Sequence, residues 1–199
     1  MMFIELAEYL RCPRDPEESY CVMLPEEMVG RSVIRGVVGC PATKRTYKIE
    51  HRVANFIPAD ALPLPESSDE VPADAKTVHA LLGVTTPGGY IVLLGSAARL
   101  GAGLSELVGL VHFVGLNAPD GVEPSGTMSV LRGPCPLPLR SSMARGVVIG
   151  AEYAVGSWLA EGSRVLLSGL RVVVFKEAAV VPGTRALASG PGLWVGQKV

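Results

Sequence analysis

The chain has 199 residues, of which 48% are hydrophobic, 19% are charged and 6% are aromatic, and its formal net charge is −1. This length fits one domain of ordinary size or one domain with a small appendage, and the apolar fraction excludes a disordered chain. A neutral chain with few aromatic residues is not typical of a nucleic-acid binder, so nucleic acid is not an expected partner. The mean hydropathy of +0.34 is high for a monomer, which predicts that a protein partner covers part of the surface.

The sequence predicts no membrane-spanning segment and no secretory leader. The longest uncharged run, residues 77–98, is interrupted at residues 85–89 by a Thr-Thr-Pro-Gly-Gly turn signal. Glu5 and Glu8 stand where a signal peptide has basic and then apolar residues, so the expected location is the cytoplasm. The chain has four cysteines, which are Cys12, Cys21, Cys40 and Cys135. In the cytoplasm they are expected to be thiols or metal ligands rather than disulfides.

The first 57 residues predict a small β-rich module. Residues 4–10 are expected to form one or two helical turns, residues 31–39 a strand and residues 46–50 its hairpin partner. A tight turn is predicted at residues 40–43 between the two strands. Residues 58–74 are rich in proline and acidic residues, which is typical of an extended linker.

Strand and helix signals alternate along residues 75–199. Apolar runs predict buried strands at 90–95, 110–116, 128–131, 146–150 and 171–175. Helices are predicted at 76–82, 100–108 and 152–166, and a closing hairpin at 179–181 and 193–196. Strands separated by helices indicate a parallel sheet with right-handed crossovers.

Two Cys-Pro-x-x knuckles begin at Cys12 and Cys40. A zinc ribbon needs Cys-x-x-Cys twice, because four thiolates complete the tetrahedron around the metal. Asp15 and Thr43 stand at the second ligand positions here, and threonine is a poor ligand. Asp15 could ligate and Cys21 could replace a missing thiol, so the candidate metal set is Cys12, Asp15, Cys21 and Cys40. We expect a ribbon whose metal site has decayed, with bound zinc as the alternative.

The block from residue 10 to residue 57 resembles a known family over its whole length. The similarity is carried by residues 10–13 (Leu-Arg-Cys-Pro), 36–41 (Gly-Val-Val-Gly-Cys-Pro), 45–49 (Arg-Thr-Tyr-Lys-Ile) and 55–57 (Asn-Phe-Ile). These segments resemble the small zinc-ribbon proteins that activate tRNA and protein methyltransferases. In bacteria this ribbon is also found fused ahead of a methyltransferase domain, which is what the resemblance implies for residues 75–199.

Three segments of residues 75–199 resemble a second family. They are residues 86–95 (Thr-Pro-Gly-Gly-Tyr-Ile-Val-Leu-Leu-Gly), 136–142 (Pro-Leu-Pro-Leu-Arg-Ser-Ser) and 161–172 (Glu-Gly-Ser-Arg-Val-Leu-Leu-Ser-Gly-Leu-Arg-Val). They look like the first strand and motif, the "LPF-x-x-x-S" stretch and the "E-x-x-R-V-L-K-P-G-G-R" turn of class I S-adenosylmethionine-dependent methyltransferases. The resemblance implies a Rossmann-like sheet that binds S-adenosylmethionine.

The cofactor positions of that family have changed in this sequence. The first motif has an acid and then Gly-x-Gly-x-Gly, because the glycines let the backbone approach the cofactor. Leu94 stands at the acid, Gly95 remains, and Ala97 and Arg99 replace the next two glycines. The long side chain of Arg99 would lie where the cofactor should pass. Asn117 replaces the acid that binds the ribose hydroxyls.

Other family features are also missing. Residues 118–127, rich in proline and glycine, replace the helix expected between the second and third strands. Arg145 stands where an aspartate is expected before the fourth strand, and Ser-Gly-Leu at 168–170 replaces the Pro-Gly-Gly turn. The candidate cofactor-binding positions are therefore Gly95, Ala97, Arg99 and Asn117, in degenerate form, and no catalytic residue is identified.

These observations predict a pseudoenzyme, in which the fold is kept by its apolar core and the chemistry is lost. We expect a non-catalytic accessory or scaffold subunit that binds other protein subunits and holds no cofactor. The alternative is a working S-adenosylmethionine-dependent methyltransferase with a divergent site. A third hypothesis is a metal-dependent regulatory ribbon that binds another enzyme.

The predicted fold class is α/β, a reduced Rossmann-like methyltransferase sheet preceded by a small β-rich, zinc-ribbon-like module. The expected division is a module at residues 1–57, a linker at 58–74 and a methyltransferase-like domain at 75–199. Both faces of a parallel sheet are normally covered by helices. The missing helix therefore predicts a bare apolar face beside the strand at 110–116, unless residues 118–127 fold over it as an irregular flap.

Overall fold

The structure is a computed structural model that describes residues 2–15, 17–68 and 70–199. Met1, Pro16 and Asp69, the last of which belongs to the predicted linker, lie outside that description. The described strands are β1 (Met2–Phe3), β2 (Val22–Val29), β3 (Ser32–Gly39), β4 (Thr46–Glu50), β5 (Val53–Asn55), β6 (Tyr90–Leu94), β7 (His112–Leu116), β8 (Met128–Arg132), β9 (Ala144–Ile149), β10 (Leu166–Val174), β11 (Thr184–Gly190) and β12 (Leu193–Lys198). The described α-helices are α1 (Ala75–Leu82), α2 (Gly101–Leu107) and α3 (Gly156–Val165).

All twelve strands join one sheet. Their order is β1-β3-β4-β5-β8-β7-β6-β9-β10-β12-β11, and β2 pairs with β3. The pairs between β8 and β10 are parallel, and β12 runs antiparallel to β10. Counted from β6, the five parallel strands have the order 3-2-1-4-5, which is that of a doubly wound, Rossmann-like sheet. The predicted α/β class with a Rossmann-like sheet is therefore confirmed for residues 90–174.

The centre of the sheet forms because its strands are apolar on both faces. All five residues of β6 are buried, as are four of the five in β7. Ile91 and Leu93 face the side covered by α1 and α2, while Val92 and Leu94 face the side covered by α3. A strand that is buried on both sides carries no alternation of polar residues, which is why a continuous apolar run predicted it.

Helix α1 has clear signals at both ends. The carboxylate of Asp74 accepts a hydrogen bond of 2.8 Å from the Thr77 N–H at its start. Gly83 ends the helix with a φ of +66°, a left-handed conformation that glycine adopts without a steric penalty. Val78 and Leu82 then pack on the sheet.

The first residues of the chain cover the part of the α3 face that α3 does not reach. Met2, Leu6 and Leu10 are fully buried in the same core as the sheet. The Phe3 N–H donates a 2.9 Å hydrogen bond to Ser129 Oγ in β8. The Phe3 ring stacks on His112 in β7 at 4.5 Å, and burial lowers the pKa of His112 to about 4.

The predicted bare face beside β7 is wrong. A helix between β7 and β8 would lie on the α1/α2 side, where Phe113 is fully buried among Ala97, Ala98, Leu104 and Val108. The 3-10 turn and the helix that follow β6 therefore cover that side of β7, and the first residues of the chain cover the other side. Residues 118–127 contain no helix, as predicted. Strand β5 pairs in parallel with β8, so the N-terminal strands and the Rossmann-like strands share one sheet and one core. The domain boundaries at 57 and 74 remain predictions.

Three further predictions of secondary structure need correction. Strand β2 was not predicted, because its Val-Met-Leu-Pro-Glu-Glu-Met-Val sequence contains proline and acids and nearly all of its side chains are exposed. The first arm of the closing hairpin is β11, not residues 179–181, because β11 is an exposed edge strand without an apolar pattern. The helix predicted at 152–166 begins only at Gly156, after a 3-10 turn at Ala151–Tyr153.

Among the described residues, no helix is both long and apolar enough to cross a bilayer.

Candidate functional site

The candidate site is the crevice at the carboxyl ends of β6 and β9. Folds with this strand order bind ligands at the point where the crossovers change sides of the sheet, which here lies between these two strands. Gly95 follows β6 with a φ of +66°, and Gly150 follows β9. The 3-10 turn at Gly95–Leu100 leads away from the crevice into α2.

The space beside Gly95 is filled by two side chains of the chain itself. Glu152 accepts a hydrogen bond of 2.6 Å from the Ser96 N–H and one of 2.9 Å from Ser96 Oγ. A Cβ atom at Gly95 would lie 2.4 Å from Glu152 Oε1 and 2.4 Å from the ring of Tyr153. The absence of a side chain at Gly95 therefore lets Glu152 and Tyr153 approach its backbone.

Tyr153 is part of the core rather than a group that faces solvent. Its side chain is 1% exposed, and its ring meets Trp158 edge to face at 4.8 Å. Burial, followed by the nearby charge of Glu152, raises the pKa of Tyr153 to about 12. The phenol is therefore neutral at pH 7 and fills space.

Asn117 is engaged in a structural role. It is buried at the end of β7, where its Nδ2 donates to the Gly133 carbonyl at 3.0 Å and its Oδ1 accepts from the Gly133 N–H at 2.9 Å. This pair of bonds ties the ends of β7 and β8 together. One of the two lone pairs of the amide oxygen is therefore used by the Gly133 N–H.

The other two predicted cofactor positions, Ala97 and Arg99, lie in different surroundings. Ala97 is fully buried in the core with α1 and α2, whereas Arg99 is exposed. Arg99 lines a shallow cavity of about 480 Å³ together with Asn117, Tyr153 and residues 64–67. The predicted linker therefore passes over the carboxyl ends of the strands. The structure brings Arg99 and Asn117 to one cavity and leaves Ala97 outside it.

The candidate metal ligands lie near one another, but among the described residues they do not form a metal-binding group. Cys12, Cys21 and Cys40 are all buried, while Asp15 uses its Oδ1 to accept the Glu17 N–H at 3.0 Å. Burial, and then the charges of Cys12 and Cys40, raises the pKa of Cys21 to about 12. Within the described ranges, no three His, Cys, Asp or Glu side chains form a group that could hold a metal ion. The four predicted positions therefore do not fit a zinc tetrahedron.

A network of four charged residues joins the first knuckle to α3, and sequence reasoning missed it. Arg164 places its guanidinium on Glu161 with bonds of 2.8 and 2.7 Å. Glu18 lies 3.3 Å from Arg164 and 2.7 Å from Arg11. Glu161 also accepts the Leu137 N–H at 2.6 Å. The "E-x-x-R" segment that resembled a methyltransferase motif thus holds two parts of the fold together.

A second concave surface lies on the α1/α2 face beyond β8. It is an open groove of about 1030 Å³ between β4, β5, β8 and the irregular residues 118–124. One wall carries Lys44, Arg45 and Lys48, and the opposite wall carries Asp120 and Glu123. The groove lies where a helix between β7 and β8 would have covered the sheet.

A row of side chains connects this groove to the edge of the sheet. Residues paired directly across neighbouring strands share a face, and the pairing aligns Leu24, Val37, Lys48, Asn55 and Arg132. Leu24 at the outer end is 60% exposed. The uncovered part of the sheet is therefore at β2–β5 and not at β7.

No protein-family model and no curated protein matches this chain. Solved structures that are similar to it are methyltransferases. A complex of the Haloferax volcanii Trm112 methyltransferase activator matches with a TM-score of 0.41 and 20% identity, over 50% of this chain and 50% of that chain. A geranyl diphosphate methyltransferase with GPP and sinefungin matches with a TM-score of 0.42 and 17% identity, over 50% and 43%.

The antibiotic-resistance methyltransferase Kmr matches with a TM-score of 0.43 and 8% identity, over 69% of this chain and 99% of that chain. The match covers 50% of the chain from the Trm112 complex and 43% of the geranyl diphosphate methyltransferase. This chain therefore spans half or less of the length of these proteins. At these TM-scores no residue role passes from those proteins to this chain. The fold assignment rests on the strand order.

Proposed function

We propose that this chain is a non-catalytic accessory or scaffold subunit, built on a degenerate methyltransferase fold and acting through protein contacts. The observation that carries the proposal is the crevice beside Gly95, which Glu152 and Tyr153 fill. A buried tyrosine in the core cannot leave without opening a cavity, which costs several kcal/mol. The crevice is thus filled by residues that the fold needs.

The residues at the predicted cofactor positions support the same proposal. S-adenosylmethionine carries a sulfonium cation, and Arg99 places a cation at a position where the family has a glycine, in a cavity that Arg132, Glu66 and Asp120 also line. Leu94 supplies no carboxylate and is buried, and Asn117 is bonded to Gly133. The alternative, a methyltransferase with a divergent site, would need to bind the cofactor in the cavity beside Arg99.

We expect titration of the full chain with S-adenosylmethionine to give no saturable heat and no thermal shift. A ligand at 100 times its Kd would stabilise the folded state by about 2.7 kcal/mol, so a melting curve detects ordinary cofactor affinity. Arg99→Ala is the matched variant, because it removes the opposing cation without touching the core. A saturable shift with a Kd below about 10 µM for the unchanged chain would favour the methyltransferase alternative.

The β2–β5 end of the sheet supports the partner part of the proposal. Val22, Leu24 and Val29 on β2 are 48%, 60% and 62% exposed, so this strand buries little apolar area within the chain. The groove beside it has an apolar floor that includes Val53 and Val130. These exposed apolar side chains, next to a groove with charged walls, are the surface that we propose as the interaction site.

We expect the full chain to elute from native extracts of its source cells in an assembly heavier than a monomer. A stable contact buries about 800 Å² on each partner, and we propose that the β2–β5 end provides it. Leu24→Asp should release the chain from the assembly, while Val180→Asp, at a site that is 83% exposed elsewhere, should not. A soluble monomer that binds no hydrophobic dye and elutes alone would contradict the partner proposal.

A further inference from the structure

The two knuckles are joined by a cluster of thiols and hydroxyls. Cys12 Sγ lies 3.3 Å from Thr43 Oγ1 and 3.3 Å from the hydroxyl of Tyr47. The Thr43 N–H donates to Cys40 Sγ at 3.4 Å. Cys12 and Cys40 are 0% and 2% exposed, and Tyr47 is 7% exposed. We name these four residues the thiol–hydroxyl cluster. Cys12, Cys40 and Tyr47 lie in the core of the N-terminal strands, and Thr43 is half-buried at its margin.

Every polar atom in such a place needs a partner, because burial without one costs free energy. Thr43 supplies two contacts at once, since its hydroxyl meets the first knuckle and its backbone N–H meets the second. The Tyr47 hydroxyl meets the same sulfur from β4, and its ring packs on Phe56 at 4.7 Å. The cluster thus links residues that are 28 positions apart and anchors them to the sheet.

A structural zinc ion links two knuckles in the same way, by binding ligands from both, and it contributes its binding energy to folding. We propose that the thiol–hydroxyl cluster takes the place of a metal ion as the link between the knuckles, and that Thr43 is the residue that decides between the two. This inference concerns the N-terminal strands and does not depend on the proposed scaffold function.

The geometry at position 43 distinguishes a hydroxyl, which completes the thiol–hydroxyl cluster, from a thiol, which would add a metal ligand. The Thr43 side chain already touches Cys12 Sγ, so a thiol there would lie beside that sulfur. Together with Cys40 it would give three sulfur atoms around one point, and Asp15 or a fourth thiol would complete the set. Three or four thiolates around one point are a strong zinc site. The thiol–hydroxyl cluster supplies two thiols, and among the described residues Cys21, the third buried thiol of this region, completes no metal-binding group with them.

The test measures zinc by elemental analysis after dialysis of the full chain expressed with added zinc. The unchanged chain and Thr43→Ser, which keeps the hydroxyl, should hold below about 0.1 zinc per chain. Thr43→Cys, and more firmly Asp15→Cys with Thr43→Cys, should hold about one. With cobalt in place of zinc, only the cysteine variants should show thiolate charge-transfer absorption.

A second measurement tests the link itself. Thr43→Val keeps the volume but loses the hydroxyl, so its melting temperature should fall by about 2–4 °C, the shift that one lost hydrogen bond produces in a chain of this size. Thr43→Ser should stay closer to the unchanged chain. The proposal is overturned if the unchanged chain retains about one zinc, if folded Thr43→Cys binds none, or if Thr43→Val melts with the unchanged chain.

Discussion

Replacing Glu161 by alanine is expected to lower the free energy of unfolding by about 3 kcal/mol. The change removes the two carboxylate oxygens that Glu161 offers to the Arg164 guanidinium and the acceptor of the Leu137 N–H, while the Leu139 carbonyl at 2.7 Å remains. Arg164 then remains largely buried near Arg11, with Glu18 as the shared anion. Removing one partner of a buried ion pair is costly, because the other charge loses its compensation.

Thermal and urea unfolding of the full chain measure this effect. A loss of about 3 kcal/mol should lower the melting temperature by roughly 6–12 °C in a chain of this size. Glu26→Ala is the control, because its partner Arg35 and Glu26 itself are both more than half exposed. Exposed pairs contribute about 0–1 kcal/mol, so the control should barely move. If Glu161→Ala melts with the control, the network does not hold the knuckle to α3.

Replacing Gly95 by alanine is expected to cost about 3 kcal/mol or more. A φ of +66° is unfavourable for alanine by roughly 1–2 kcal/mol. The new Cβ would also overlap Glu152 and Tyr153, and overpacking in a core adds about 1–3 kcal/mol. The tyrosine ring belongs to the core and cannot move aside without disturbing Trp158.

Two other glycines separate these contributions. Gly121→Ala has a φ of +84° and open space, so it should show only the backbone cost. Gly109→Ala has open space without a left-handed φ and should be close to neutral. Urea unfolding ranks the three variants. If Gly95→Ala were no more destabilising than Gly121→Ala, the space beside Gly95 would be open, and the argument that Glu152 and Tyr153 fill the crevice would fail.

These two variants address different parts of the proposed function. Glu161 tests whether the segment resembling a methyltransferase motif serves the fold, and Gly95 tests whether the retained glycine serves packing. Neither residue lies on the exposed β2–β5 surface. A destabilised variant that is still folded should therefore keep its partner, which separates the loss of stability from the loss of binding.

The sequence by itself determined the central strands. Runs such as Tyr90–Leu94 are apolar at every position, and only a strand buried on both faces, or a buried helix, fits such a run. The helix predicted at 76–82 is α1, and the structure adds the capping residues Asp74 and Gly83 at its two ends. The changed residues Ala97, Arg99 and Asn117 were also visible without a structure, because a motif is read position by position.

Only the tertiary structure decided what occupies the crevice and what covers the sheet. Glu152 meets Ser96 across 56 positions, and Phe3 meets Ser129 across 126. No local pattern reports such contacts, since they depend on which ends of which strands the fold brings together. Strand β2 was not predicted because it buries too few side chains to show a hydrophobic pattern. Hydrophobic periodicity records which face of an element is buried, but it does not record which segment buries it.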